Sequence, residues 1–331
     1  MTDQNNKNRV VTAVAQPNIA LVKYWGKADV ASNTPAVGSL SVTLSGLETR
    51  TTLRSGQQIT QDRFALNGFA EPAIGERTFA FVGRLLGPAR PPIDIESHNN
   101  FPTAAGLASS ASGFAALTVA LNALLDLNRS QHDLAVMAGR GSGSAARSLF
   151  GGAVRLDVDE GGSPPIRLRE LTTAQLPLHV VVGVTSKARK QTGSTQGMQL
   201  TRATSPYYDA WLSSHKADLD AAELAISSGD FAKLADVSEH SCLKMHAVMQ
   251  AANPPLLYWN AATMECIHRV RALRAAGTAA FFTIDAGPQI KVICDPSAVT
   301  IVRDALSDVA GVTQIIDVPL GGPASLVEQA A

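Results

Sequence analysis

The stretch "NNFPTAAGLASSASGFAAL", residues 99–117, places eleven Gly, Ala and Ser residues in nineteen positions. Pro102 fits only the first turn of a helix, so a helix is expected to begin after it, between Leu107 and Ser109. The first N–H groups of such a helix have no partner within the helix and carry the positive end of its dipole. Small side chains leave these donors open to close approach by a ligand or by a neighbouring helix.

The residue types of this stretch favour phosphate binding in its first half. A loop formed by Ala104, Ala105 and Gly106 exposes backbone donors that suit the diphosphate or triphosphate of a nucleotide. Ser109 and Ser110 add hydroxyls that could reach a phosphate or a Mg²⁺ ion. The stretch is not a Walker P-loop, because no Gly-Lys-Ser/Thr follows. Tight helix packing is the alternative interpretation, and we favour it for three small residues: Ala111, Gly113 and Ala115.

A second small-residue loop, "GRGSGSAARSLFGG", covers residues 139–152 and contains Arg147. A guanidinium group forms bidentate hydrogen bonds with a carboxylate or phosphate, and Ser142 and Ser144 add further donors. The alternative is a surface loop whose arginine is simply solvated.

Two other segments place a charged residue beside an apolar, strand-like run. "PNIALVKYWGK", residues 17–27, sets Lys23 before a Tyr-Trp pair, which indicates either packing at an edge strand or one wall of an anionic pocket. "FFTIDAGPQIKVIC", residues 281–294, places Asp285 at the tip of two strands joined by Ala-Gly-Pro. An aspartate in a turn often serves the turn itself, so this interpretation stays open beside a catalytic one.

The segment "KARKQTGSTQGMQ", residues 187–199, collects basic and hydroxyl side chains before a predicted helix. These groups suit a phosphorylated ligand. The side chains in question are Lys187, Arg189, Lys190, Thr192 and Ser194.

Composition limits the classes of function that the chain can have. Of 331 residues, 45% are hydrophobic and 17% are charged, with Lys+Arg and Asp+Glu equal at 28 each. This balance argues against a nucleic-acid binder, which usually has a basic excess. No stretch resembles a signal peptide or a membrane span. The cysteines have no metal-ligand spacing, and we expect reduced, buried thiols in a soluble cytoplasmic protein: Cys242, Cys266 and Cys294.

The order of predicted elements indicates an α+β protein with two lobes. Strand-like runs followed by helices occur once in the first half of the chain and again in the second half. We place the division near Thr185, which gives lobes of residues 1–185 and 186–331. A helix is predicted from Leu256 to Ala276 by apolar residues at spacings of three and four. A cleft between two lobes is a usual place for a small-molecule site.

Together, five segments resemble the signature segments of the diphosphomevalonate decarboxylase family in the GHMP kinase superfamily. They occur in the family's order and span residues 17 to about 290. "PTAAGLASSASG" resembles the wider superfamily, whereas "KYWGK", "SGSAARS" and "DAGP" are more specific. The resemblance implies a GHMP kinase-like two-lobed fold, with an N-terminal ribosomal-protein-S5-like α/β lobe and a C-terminal ferredoxin-like-derived lobe. The active site would lie in the cleft between them.

The resemblance also implies an activity: ATP-dependent decarboxylation of mevalonate 5-diphosphate to isopentenyl diphosphate, ADP, phosphate and CO₂. It implies ATP and Mg²⁺ as cofactors and a homodimer as the assembly. A 3-kinase of the mevalonate type, or a decarboxylase acting on a monophosphate, is the alternative on the same scaffold. An inactive relative that only binds ligands is a third interpretation, but such a protein should have lost Lys23, Arg147 or Asp285, and all three are present.

Roles for individual residues follow from the same resemblance. Asp285 is expected near the tertiary 3-hydroxyl of the substrate, as general base or electrostatic stabiliser, with Lys23 beside it. Arg147 is expected to bind the substrate carboxylate. Other residues expected at the substrate are Tyr24, Ser142, Gly143, Ser144, Lys190 and Ser194. Residues expected at the nucleotide phosphates are Ala105, Gly106, Ser109 and Ser110, with Ser109 also a candidate Mg²⁺ ligand through ATP.

Two positions depart from the family pattern. Ala146 stands where many members have Cys or Ser, but it keeps the residue small, so the loop should retain its shape. Gln289 follows the DAGP turn where Asn is common, which puts a backbone or nucleotide contact in doubt more than the chemistry.

Overall fold

Groups of strands and groups of helices follow one another along the chain in a mixed α and β arrangement. The computed structural model describes residues 8–101, 109–159, 161–163, 165–188 and 191–327. The strands are β1 Arg9–Ala15, β2 Asn18–Val22, β3 Lys27–Asp29, β4 Thr34–Pro35, β5 Ser39–Thr43, β6 Thr49–Ser55, β7 Arg63–Leu66, β8 Phe69–Ala70, β9 Asp94–Asn99, β10 Ala153–Val158, β11 Ile166–Leu171, β12 His179–Val184, β13 Ala280–Thr283, β14 Ile290–Cys294, β15 Gln314–Pro319 and β16 Ser325–Leu326. The helices are α1 Pro72–Leu86, α2 Ser109–Leu124, α3 Gln131–Gly141, α4 Ser194–Thr204, α5 Tyr208–Ser228, α6 Phe231–Gln250, α7 Ala261–Ala275 and α8 Val299–Ser307.

The first sheet has the strand order β16-β1-β6-β9-β7-β8, and α2 packs against β1 and β6. Ala111 and Ala115 of α2 are fully buried, in agreement with the packing interpretation. Gly113 differs, because a Cβ built at this glycine meets no atom within 4 Å. It faces open space in a cavity described below, so the packing prediction for Gly113 is wrong.

The second sheet has the order β11-β10-β5-β2, and the third has the order β13-β14-β12-β15. A continuous core joins them through α5 and α6, with buried residues such as Val42 on β5, Val180 on β12 and Leu234 on α6. Strand β12 precedes residue 185 in the sequence and pairs with β14 and β15, which follow it. The division of the chain at residue 185 stays a prediction.

Helix α7 begins at Ala261, five positions after the predicted start at Leu256. Asn260 caps the helix, since its side chain accepts a hydrogen bond of 2.8 Å from the N–H of Thr263. Leu256 lies before this cap and is buried beside α6. The apolar spacing therefore predicted correctly that Leu256 is buried, but it did not predict the first residue of the helix.

Candidate active site

A cavity of about 620 Å³ lies between β2 of the second sheet, the first turn of α2, the loop after α3, and helices α4 and α6. Its wall is formed by segments that are far apart in the sequence. Nine of the residues singled out from the sequence line it: Tyr24, Ser109, Ser110, Ser142, Gly143, Ser144, Arg147, Ser194 and Asp285. Ala105, Gly106 and Lys190 lie outside the described residues. Lys187 and Thr192 are described but do not line this cavity.

Asp285 lies at the floor of the cavity, two residues after the end of β13. Its Oδ1 accepts a hydrogen bond of 2.6 Å from Nζ of Lys23, and its Oδ2 lies 3.3 Å from Nζ of Lys291. Both lysine side chains are buried, whereas 28% of the Asp285 side chain is exposed, toward the cavity. The carboxylate is thus the accessible member of a buried cluster of charges.

The two lysines determine the charge of this carboxylate. Burial alone raises the pKa of Asp285, but the ammonium groups of Lys23 and Lys291 outweigh that effect and hold the pKa well below its usual range. Burial also lowers the pKa of Lys291, and the Asp285 carboxylate opposes that shift. Asp285 is therefore an anion at neutral pH.

Helix α6 supports the two segments that carry this pair. Ser241 Oγ accepts a hydrogen bond of 3.0 Å from the backbone N–H of Lys23. Cys242 Sγ accepts one of 3.2 Å from the N–H of Ile284, next to Asp285. His246, four residues after Cys242 on this helix, is buried and lies with its Nε2 3.2 Å from the carbonyl oxygen of Ile284.

Arg147 is almost completely buried, with 1% of its surface exposed, in the short 3₁₀ helix Ala145–Leu149. Its Nη1 donates a hydrogen bond of 2.6 Å to Ser39 Oγ, and its Nε donates one of 3.4 Å to Asn18 Oδ1. Burial lowers the pKa of Arg147 to about 10, so the guanidinium stays charged at neutral pH. These bonds fix the orientation of its planar group at the cavity wall.

Tyr24 packs beside this arginine, with the guanidinium carbon 5.8 Å from the ring centre. Burial raises the pKa of Tyr24 to about 12, so its hydroxyl keeps its proton. The space next to that hydroxyl requires a glycine, because a Cβ on Gly143 would lie 2.4 Å from Tyr24 Oη. Within the part of the chain described, this buried Oη has no hydrogen-bond partner.

Three serine hydroxyls form a row along the cavity wall. Ser110 Oγ lies 3.2 Å from Ser142 Oγ, which lies 3.1 Å from Ser144 Oγ. The row connects the first turn of α2 to the loop after α3. Hydroxyls that donate to one another in this way can reorient toward an anionic ligand.

Two further basic side chains, absent from the residues predicted at the site, form another part of the wall. Lys27 Nζ donates a hydrogen bond of 3.4 Å to Thr195 Oγ1, and Arg77 on α1 donates one of 2.8 Å to the carbonyl of Gly141. Burial, followed by repulsion from Arg77, lowers the pKa of Lys27. Two cations that face one cavity indicate a ligand with several negative charges.

Some of these residues carried a sequence signal that could have revealed them. Lys291 is the one charged residue in the apolar strand "IKVIC", and Asn18 begins the buried strand "NIALV". A polar residue in a buried strand needs a partner, which points to a site. Arg77 carried no such signal, because it belongs to an amphipathic surface helix.

A second cavity, of about 280 Å³, adjoins the first one. The two cavities share Ser109, Ser110 and Arg77. Most of the second wall is apolar, including Phe64, Leu66, Ile74, Phe114 and Leu117, with Asn99 and three Thr and Ser hydroxyl groups at positions 49, 51 and 97 among its polar members. An apolar slot with a few polar groups suits a flat heterocyclic base.

Among the described residues, no group of three or more His, Cys, Asp or Glu side chains is placed to hold a metal ion. The site suits a Mg²⁺ ion held mainly by phosphate oxygens, since Mg²⁺ is commonly bound through few protein groups. Ser109 and Ser110 provide hydroxyl oxygens where the two cavities meet. No helix among the described residues is long and apolar enough to cross a membrane.

Gln289, the departure noted in the sequence, is buried and has its polar atoms paired. Its Oε1 accepts a hydrogen bond of 2.6 Å from the N–H of Thr185, and its Nε2 donates one of 2.6 Å to the carbonyl of Ser186. The side chain therefore links the Asp285 turn to the segment that follows β12.

Comparison with known proteins agrees with this arrangement. Residues 15–164 match the family model of the diphosphomevalonate decarboxylase-like N-terminal domain, and residues 180–324 match that of the mevalonate 5-diphosphate decarboxylase C-terminal domain. The diphosphomevalonate decarboxylase of Gibberella zeae is 39% identical over 300 residues, which cover 84% of this chain and 78% of the relative. The human diphosphomevalonate decarboxylase is 36% identical over 303 residues, covering 84% and 75% respectively.

Solved structures give the same result. Mevalonate diphosphate decarboxylase from Staphylococcus aureus superposes with a TM-score of 0.91 at 35% identity, covering 97% of this chain and 99% of that one. The fold and the cleft thus define a two-lobed protein of the GHMP kinase-like class. Within that class, the chain belongs to the diphosphomevalonate decarboxylase family.

Proposed function

We propose that this chain catalyses the ATP-dependent decarboxylation of mevalonate 5-diphosphate, with isopentenyl diphosphate, ADP, phosphate and CO₂ as products. The observation that carries the proposal is the single cavity into which Asp285 and Arg147 both face, with Lys27 and Arg77 on the same wall. The related structure of MDDEF, at 34% identity, is a complex with MVAPP, AMPPCP and magnesium. Those ligands support the same substrates here.

The reaction needs one group that stabilises charge at C3 of the substrate and another that orients its carboxylate. A tertiary alcohol is a poor leaving group, and phosphorylation makes it a good one. As the phosphate leaves, positive charge develops at C3, and loss of CO₂ then forms the alkene. An anion near C3 stabilises this charge, while the carboxylate must be oriented without being held too strongly to leave.

Arg147 is assigned to orient the carboxylate of the substrate. Ser39 and Asn18 fix its guanidinium group, so the arginine acts as a rigid fork and not as a mobile charge. The neighbouring Ser142 and Ser144 hydroxyls donate to the substrate. Lys27 and Arg77, whose charges face the same cavity, hold its diphosphate.

Asp285 is assigned to the 3-hydroxyl as an anion throughout the reaction. Because the two lysines keep its pKa below the usual range, the carboxylate is a weak base. It can orient the hydroxyl by accepting its hydrogen bond. It then stabilises the positive charge that develops at C3.

ATP is assigned to the two cavities together. Its base occupies the apolar second cavity, and its phosphates follow Ser109 and Ser110 toward the first cavity, with Ala105 and Gly106 predicted to contribute backbone donors. Mg²⁺ neutralises charge on the phosphate oxygens when it is bound. Ser109 is the residue of this chain proposed to contact that ion, and Lys190 and Ser194 are proposed to assist substrate binding.

We also propose a homodimer and a cytoplasmic location. The homodimer rests on the family resemblance alone. Three free, buried cysteines, Cys242, Cys266 and Cys294, support a reducing compartment.

The test is an incubation of the purified protein with ATP and Mg²⁺ and with one of three compounds: mevalonate, its 5-phosphate or its 5-diphosphate. ADP and CO₂ are measured separately. We expect equal amounts of ADP and CO₂ from the 5-diphosphate and much less from the other two. ADP without CO₂ would identify a 3-kinase, and preference for the 5-phosphate would identify a monophosphate decarboxylase. Either result contradicts the proposal.

A further inference from the structure

Lys291 lies at the centre of the third sheet. It belongs to β14, which pairs with β12 on one side and β13 on the other, opposite Val182 and Thr283. Its side chain is fully buried in a strand that is otherwise apolar. A buried ammonium group is costly unless it is paired, so packing does not explain a lysine at this position.

The ammonium group of Lys291 approaches the same carboxylate as Lys23, from a different strand. Lys23 contacts Oδ1 of Asp285 at 2.6 Å, and Lys291 lies 3.3 Å from Oδ2. Both oxygens are therefore held, which restricts rotation of the carboxylate about its last torsion angle. The remaining face of Asp285 is directed to the cavity.

Lys291 is not needed to neutralise the charge of Asp285. Lys23 and Asp285 already form a balanced ion pair in the buried floor. Arg147 adds a further positive charge, and α6 contributes two groups, His246 and Cys242. Burial lowers the pKa of His246 to about 3 and raises the pKa of the Cys242 thiol, so both are neutral. The floor thus carries a net positive charge beneath a site for anionic substrates.

We propose that Lys291 is a positioning residue of the active site, which holds Oδ2 of Asp285 from below and keeps the carboxylate aimed at the reacting atoms. This inference rests on the proposed function, because it assigns the role of Asp285 in that reaction. Lys291 itself does not line the cavity and acts through Asp285.

The test replaces Lys291 with methionine, which has a similar length and no charge. Loss of the ammonium group removes one cause of the low pKa of Asp285, so that pKa should rise by about one unit or more. The acid limb of the kcat profile should then move to higher pH by the same amount. We expect kcat to fall by about tenfold or more at neutral pH, with KM for the substrate changed little.

A readout independent of turnover separates this inference from the proposed function. The carboxyl carbon of Asp285, labelled with ¹³C and assigned by its absence in Asp285→Asn, is titrated in the wild type and in Lys291→Met. A raised pKa in the variant supports the role of Lys291 even if the wild type releases no CO₂, which would refute only the proposed function. An unchanged pKa together with an unchanged acid limb overturns the inference.

Lys244→Met is the matched control, because Lys244 on α6 pairs with Asp218 and not with Asp285. It should lose stability without moving the pKa of Asp285. If Lys291→Met does not fold, Lys291→Gln decides, since glutamine can still donate to Oδ2 but carries no charge. A raised Asp285 pKa in that variant supports the proposal, and an unchanged value refutes it.

Discussion

The substitution Arg147→Lys separates orientation from charge at the carboxylate end of the site. Arginine donates from Nη1 to Ser39 and from Nε to Asn18, and still presents a planar group to the cavity. A lysine ammonium supplies the charge but cannot make these contacts and hold a carboxylate in one plane at the same time. The buried Ser39 hydroxyl would also lose its charged donor.

The size of the effect follows from the geometry. A displacement of about 1 Å at the reacting atoms lowers the rate about 10²-fold, which equals about 2.7 kcal/mol of activation free energy. We expect a loss of this size in kcat, with KM for the substrate changed much less. The variant should also be less stable. Loss of a buried charge-assisted hydrogen bond lowers the free energy of unfolding by about 1.5–3 kcal/mol.

The assay measures ADP and CO₂ separately in steady state, with thermal unfolding as the check on stability. If orientation matters for phosphoryl transfer, ADP and CO₂ fall together. Continued ADP release without CO₂ would place Arg147 at the later step. A fully active lysine variant would refute the carboxylate role, and Arg147 would then only shape its loop.

Three other substitutions test the remaining parts of the site. Asp285→Asn should lower kcat by at least ~10²-fold with little change in substrate binding, and near-normal turnover would leave Asp285 as a turn residue. Gly113→Leu should extend into the second cavity, since a Cβ at this position meets no atom within 4 Å, and should raise KM for ATP by about tenfold. Gly83→Leu, at an equally open position on α1, should leave KM for ATP unchanged, and equal KM values in both variants would show that the base does not bind in this cavity. Gly143→Ala should displace the Tyr24 ring, because of the 2.4 Å approach to Tyr24 Oη, and lower kcat/KM by up to ~10²-fold; wild-type kinetics would show that this contact is dispensable.

The sequence predicted the two-lobed α+β class and the helices that correspond to α2 and α7, because local apolar periodicity reports which face of an element is buried. The start of α7 was the clear exception: Leu256 is buried, but it lies outside the helix. Periodicity cannot distinguish a buried loop residue from the first turn of a helix. The cap at Asn260 was the better signal.

For the site, motifs predicted residues whose chemistry is visible in a short segment. Asp285 and Arg147 were selected in this way, and the structure places both at one cavity. Lys291 was missed although a lysine in an apolar strand signals a site, because its partner Asp285 is recognised only from the folded structure. Arg77 was missed because only the fold brings α1 to the cavity.

The pairing of β16 with β1 has a consequence for synthesis of the chain on the ribosome. Ala13 and Val14 pair with Leu326 and Ser325, so part of the outer edge of β1 is covered by residues made more than three hundred positions later. Until those residues emerge, β1 presents open backbone groups that other nascent chains can pair with. This part of the edge therefore stays open for nearly the whole time of translation, and we expect slower translation late in the message to increase aggregation.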